Sequence, residues 1–174
     1  MKKQNFSSYQ PRSVVLTPGI FRDRYELNRA YLAELKPKNL LQNYYLEAGR
    51  GDFSQLRNTT HGEAGTGDDR HWGWESPTCQ VRGHFLGHWL SAAYRCYAST
   101  GEPVLKNQCD EIVGELEKCQ EKNGGEWLFS IPEKYFRWAA EGSPTWAPHY
   151  VVHKTLMGLI DAVRYGESAK ALGI

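Results

Sequence analysis

A chain of 174 residues has the length of one ordinary domain. Its 21 basic and 20 acidic side chains nearly cancel, so no charge excess favours nucleic acid or an anionic membrane. No stretch approaches the roughly 20 apolar residues of a membrane span.

The start, "MKKQNFSSYQPRS", is basic but leads into no apolar run, which argues against a signal peptide and for a cytoplasmic protein. Residues 1–18 read as an irregular leader, and residues 19–174 as one domain. A helix is expected from about Ile20 to Lys36, with Tyr25, Leu27, Tyr31, Leu32 and Leu35 on its apolar face and Pro37 as its stop. "NLLQNYYLEAG" reads as a short second helix ending at Gly49. Residues 50–80 then turn rich in Gly, Asp, Thr and His without helical period. A loop this long is usually functional or disordered, and Trp72 and Trp74 argue against plain disorder.

From about Arg82 the segment "RGHFLGHWLSAAYRCYAST" is apolar nearly all round, which implies a helix buried on most sides. The next helix, from Pro103 to about Gln120, is different. Leu105, Cys109, Ile112, Val113, Leu116 and Cys119 form one stripe, and charged residues fill the rest. "HYVVHKTLMGLIDAVRY" is again largely apolar, and "AKALGI" begins another helix. The connections "YASTGEPVLK" and "RYGESAKAL" match closely, a weak internal repeat with a period of roughly 65 residues. Alternating buried and half-wet helices point to an all-α toroid of hairpins, an α/α barrel. So few hairpins cannot close a ring of six, so the chain reads as the N-terminal portion of an incomplete barrel whose buried helices lack partners on their flanks. The four cysteines, Cys79, Cys96, Cys109 and Cys119, lack CxxC spacing and read as reduced structural thiols.

In such a barrel the inner helices run parallel, so their starts share one mouth. His84 and His88 begin one; His149 and His153 begin the other. The partial positive charge of a helix N-terminus favours the neutral imidazole, which both donates and accepts, as a sugar hydroxyl does. The loop "DDRHWGWES" adds Asp68, Asp69 and Glu75 as acceptors, and Trp72 and Trp74 as stacking faces. Each His pair also fits two satisfied cap residues, and the tryptophans also fit a loop pinned to the core. A zincin-type metal pair needs Glu after its first His, where Phe85 stands here. "GEAGTGDD" lacks the Gly-Lys-Ser/Thr of a phosphate loop.

At "GWESPTCQVRGHFLGHWLSA", with "CQEKNGGEWL" and "HYVVHKTLMGLIDA", the chain resembles the N-terminal part of glycoside hydrolase family 127 and its relative family 146, the β-L-arabinofuranosidase-type enzymes. The resemblance runs from "VVLTPGIFRDRYELNRAYL" to the last residue, and "RGHFLGH" followed by "LSA" is its most specific piece. It implies a catalytic (α/α)6 barrel followed by β-sandwich domains. It also implies exo-cleavage of terminal β-L-arabinofuranosides of plant glycans with retention, by a zinc-bound cysteine nucleophile and a glutamate acid/base. In the family that cluster lies beyond the stretch represented here. None of the four cysteines stands in its Cys-Cys context, so neither nucleophile nor zinc is assigned to this chain.

What the resemblance carries over is the mouth: His84, His88, His149, His153, Trp74 and Glu75 as substrate-binding residues. Either His149 or His153 matches a sugar-contacting histidine of the family, His153 being preferred because Lys154 follows it. The expected partner is an arabinose-containing oligosaccharide, not nucleic acid or membrane. Activity would require the rest of the barrel, so the chain alone is expected to be inactive. A sugar-binding remnant, a sugar epimerase on the same barrel and a helical scaffold without a small-molecule site are the alternatives.

Overall fold

The computed structural model describes residues 10–50 and 70–174, and among them all regular structure is helical. Helix α1 spans Ile20–Glu34, two residues short of the expected end. Pro37 forces Lys36 into extended backbone, as residues before proline generally are, and then opens α2 (Pro37–Leu40) as its first helical residue. The single short helix expected next is therefore two, α2 and α3 (Gln42–Glu47). The leader carries a 3-10 turn, Pro11–Ser13, tied to the end of the helix that begins at His84 by a hydrogen bond from Arg12 Nε to the Ala98 carbonyl (3.3 Å).

The remaining helices are α4 (His84–Thr100), α5 (Pro103–Lys122), α6 (Lys134–Ala140), α7 (Pro148–Gly166) and α8 (Ala169–Gly173). Gly101, in the left-handed conformation, ends α4 and turns the chain back into α5. The expected α5 stripe is the observed one: Leu105, Cys109, Ile112, Val113, Leu116 and Cys119 are all buried. They meet Trp89, Leu90, Ala93 and Tyr94 of α4 in the main core. Helix α6 is anchored by Tyr135 in a small second core with Val81, Ile131 and Val151.

Helices α4 and α7 form the most extensive helix pair, and they run parallel. Partners advance together along both: His88 meets Tyr150, Gly87 meets Lys154, Ser91 and Arg95 meet Asp161, and Tyr94 meets Gly166. Small residues allow this. A Cβ on Gly87 would sit 2.0 Å from the Lys154 carbonyl oxygen, and one on Gly166 would sit 2.2 Å from the Tyr94 ring. Midway down, the buried Asp161 carboxylate accepts from Ser91 Oγ (2.6 Å), Arg95 Nε (2.7 Å) and Arg95 Nη2 (3.2 Å). This is the parallel inner pair of an α/α barrel, with α5 packed outside it. On the flank of α7 away from α4, Leu156 and Ile160 stand exposed. No helix among the described residues is long and apolar enough to cross a membrane.

Candidate functional site at a shared helix mouth

The parallel run of α4 and α7 brings their first turns to one end of the molecule. His88 Nε2 lies 3.0 Å from the Tyr150 hydroxyl. The His84 ring is 6.0 Å from that of His88 and 5.7 Å from that of Tyr150. Trp74 closes one side, 6.1 Å from His84, and meets Trp146 edge to face at 5.6 Å. Both tryptophans are largely exposed, at 62% and 49%, which is unusual for rings this large unless something stacks on them. Beside them an open cleft of about 440 Å³ is lined by Tyr31, Leu35, His71, Trp72, Trp74, Glu75, His84 and Phe85.

The mouth has a rigid floor. Gly83 precedes α4 with φ of 82°, and an added Cβ there would meet Ser130 Oγ at 2.0 Å. Ser130 Oγ donates to the Arg82 carbonyl (2.8 Å). The buried Tyr44 hydroxyl donates to the Gly83 carbonyl (3.2 Å) and pairs with Thr155 Oγ1 of α7 (2.7 Å). Arg82 is in turn bound to Glu47 at 2.9 Å.

Glu75 sits below the rim, buried, with its carboxylate turned into the start of α4. Its Oε2 accepts from Gly83 N–H (2.7 Å) and Asn43 Nδ2 (3.0 Å). Its Oε1 accepts from Phe85 N–H (3.0 Å) and lies 2.8 Å from His84 Nδ1. A distant carboxylate thus serves as the N-cap that Gly83 cannot be.

That cap changes the histidine electrostatics. His88 follows the expectation of a neutral imidazole at a helix start: burial, then the charges of Lys154, His84 and His153, push its pKa below the ordinary histidine value. His84 does not. Burial pushes it down, but the hydrogen bond and charge of Glu75, with the Val81 carbonyl, outweigh this and raise it. The positive helix end that should favour neutrality faces a carboxylate instead.

The expected residues divide. Trp74, His84 and His88 come together. His153 is exposed on the next turn of α7, close enough for its charge to bear on His88. His149 turns away and packs edge-on against Phe136 at 4.8 Å. Trp72 lines the adjoining cleft, with Arg70 over its ring at 5.6 Å. Asp68 and Asp69 lie outside the described residues.

Three mouth residues were not among the expected substrate-binding ones. Tyr150 meets both α4 histidines, Lys154 places Nζ 4.9 Å over the Tyr150 ring, and Trp146 pairs with Trp74. Tyr150 carried a signal, since it begins the same helix turn as His153 and Lys154.

The thiols are dispersed. Cys96, Cys109 and Cys119 are buried on the core side of α4 and α5, and burial raises the pKa of Cys109 and Cys119, which keeps them protonated. Cys79 is half-buried in a separate loop. Among the described residues no three His, Cys, Asp or Glu side chains converge as a metal site.

Two parallel buried helices with an aromatic and imidazole mouth belong to the class of α/α-barrel proteins. The family model "Beta-L-arabinofuranosidase, GH127 catalytic domain" matches residues 13–174, and the chain belongs to that glycoside hydrolase family. Comparison with curated proteins gives no match.

Proposed function

We propose that this chain forms one wall of the sugar subsite of a β-L-arabinofuranosidase-like glycoside hydrolase, acting on terminal L-arabinofuranosyl residues of plant glycans. His84, His88, Tyr150 and His153 meet the hydroxyls, and Trp74 and Trp146 shape the rim. The observation that carries this reading is the junction of His84, His88 and Tyr150 beneath two exposed tryptophans, at the shared start of two parallel helices. Imidazole and phenol groups both donate and accept, and exposed indole faces suit the apolar face of a sugar ring.

The nucleophile and the zinc that holds it are proposed to come from outside this chain, because its thiols are scattered and protonated. The chain by itself then binds sugar without cutting it. Calorimetric titration of the chain with methyl β-L-arabinofuranoside is expected to give millimolar affinity, about 4 kcal/mol. His88→Ala should weaken it about tenfold, the effect of one well-made polar contact. No binding by the wild-type chain, or equal binding by His84→Ala and His88→Ala, would overturn the sugar wall. Sustained turnover of an aryl β-L-arabinofuranoside by the chain alone would overturn the assignment of the nucleophile elsewhere.

A further inference from the structure

The carboxylate of Glu75 lies beneath the mouth, and its contacts bear on what the mouth presents to a ligand. His84 Nδ1 is 3.0 Å from the Val81 carbonyl oxygen and 2.8 Å from Glu75 Oε1. A carbonyl oxygen can only accept. Glu75 also only accepts, because its two oxygens together receive two backbone N–H groups and the Asn43 amide. With acceptors on both sides, Nδ1 carries a proton in either charge state of the ring. The nitrogen left over is Nε2, on the opposite edge of an imidazole ringed by Trp74, His88 and Tyr150.

We infer that Glu75 is a positioning residue that locks His84 with its proton on Nδ1 and so presents Nε2 to the ligand as the variable atom of the mouth. This rests on the reading of the mouth as a sugar site. When His84 is neutral, Nε2 is a bare acceptor and must be met by a ligand hydroxyl; an ether oxygen there has nothing to donate. When His84 is protonated, Nε2–H donates, and either oxygen satisfies it. The device therefore favours a terminal sugar whose hydroxyl is free at this position, and relaxes that preference as the pH falls.

The charged and titratable groups facing His84 are Glu75 from the 3-10 turn Gly73–Glu75, His88 from the same helix, and Lys154 and Tyr150 from α7. Of these Glu75 alone is anionic, and it is the nearest. Because the folded midpoint is raised, the stabilisation from this pair is complete below about pH 6.5 and is lost as pH rises through the folded midpoint.

The test is a pH series of long-range proton–nitrogen spectra of the full chain labelled at its imidazoles, from about pH 5 to about pH 9. In the wild-type chain, neutral His84 should show a protonated Nδ1 and a bare Nε2, and should titrate above His88. In Glu75→Gln, which removes the charge and keeps the shape, the His84 midpoint should fall to that of His88 or below. Neutral His84 carrying its proton on Nε2 in the wild-type chain overturns the inference, even if the variant fails to fold. So does an unmoved midpoint in a folded Glu75→Gln chain. Loss of sugar binding with the wild-type His84 titration as stated counts against the sugar wall and leaves the Glu75 lock standing.

Discussion

Glycine plays opposite parts in the two kinds of helix. In α4, Gly87 is buried against α7, and the space a methyl group would need is already held by the Lys154 backbone. In α5, Gly114 faces open space, with nothing within 4 Å of where its Cβ would be. The surroundings follow suit. Helix α5 is an amphipathic helix: it binds the core through one stripe and leaves Asp110, Glu111 and Lys118 wet or half-wet. Helix α4 is packed on the core side by Trp89 and Ala93 and touches α7 through Gly87. Its polar stripe, His84, His88, Ser91 and Arg95, meets α7 as well: His88 faces Tyr150, and Ser91 and Arg95 bind Asp161. The lesson is that α5 is held chiefly by its buried stripe, with hydrogen bonds such as Tyr94 to Asp110 (3.1 Å) and Tyr45 to Glu115 (2.9 Å) at its edges, whereas the α4–α7 pair is held in register. That register places His88 against Tyr150.

Gly87→Ala should break this contrast most visibly. Alanine is the better helix former by about 1 kcal/mol, so an unconstrained site would gain. Here the new methyl would lie 2.0 Å from a backbone oxygen, which cannot move unless the helices part. The expected result is a loss of about 3 kcal/mol or more in urea unfolding. Separation of α4 and α7 should also lengthen the His88–Tyr150 contact, and with it the proposed sugar affinity. A neutral or stabilised Gly87→Ala would mean that the two glycines are alike and that register is not imposed at this point.

Asp161→Ala comes next. It removes the acceptor of Ser91 Oγ and both bonds to Arg95 while leaving the helix itself intact. Arg95 is 56% exposed and can turn to water, so the cost falls below that of a fully buried pair. About 2 to 3 kcal/mol is expected by the same measurement, chiefly from the stranded Ser91 hydroxyl and the emptied volume. A loss well under 1 kcal/mol would show that close packing alone sets the register.

Much of this architecture was legible in the sequence, and the contrast explains which part. The α5 stripe follows from period alone, because one face meets the core and the other meets water. The parallel helix starts followed from the repeated hairpin connection. What could not be read was phase and reach. One residue turns a helix by about 100°, so choosing His149 rather than Tyr150 as the first inward position points at the wrong neighbour. Ala147 enters α7 in the left-handed conformation just before Pro148, and nothing in the residue type announces that. Glu75 was singled out as a rim acceptor because it sits in a polar loop. Its burial depends on Asn43 and on the bare N–H groups of Gly83 and Phe85, contacts that tertiary structure alone creates.

The smallest expected effect has the opposite sign. Gly114→Ala adds a methyl group to open space in the middle of a twenty-residue helix. The unfolded chain loses backbone freedom and the folded one meets no obstacle, so stability should rise by about 1 kcal/mol. The gain should be the same in the Asp161→Ala background, because the two positions share no partner. Sugar titration by Gly114→Ala should be unchanged, since α5 stands outside the inner pair. If Gly114→Ala instead destabilises the chain, something covers the wet face of α5, and the division into a register-bound inner pair and a burial-bound outer helix fails on its outer side.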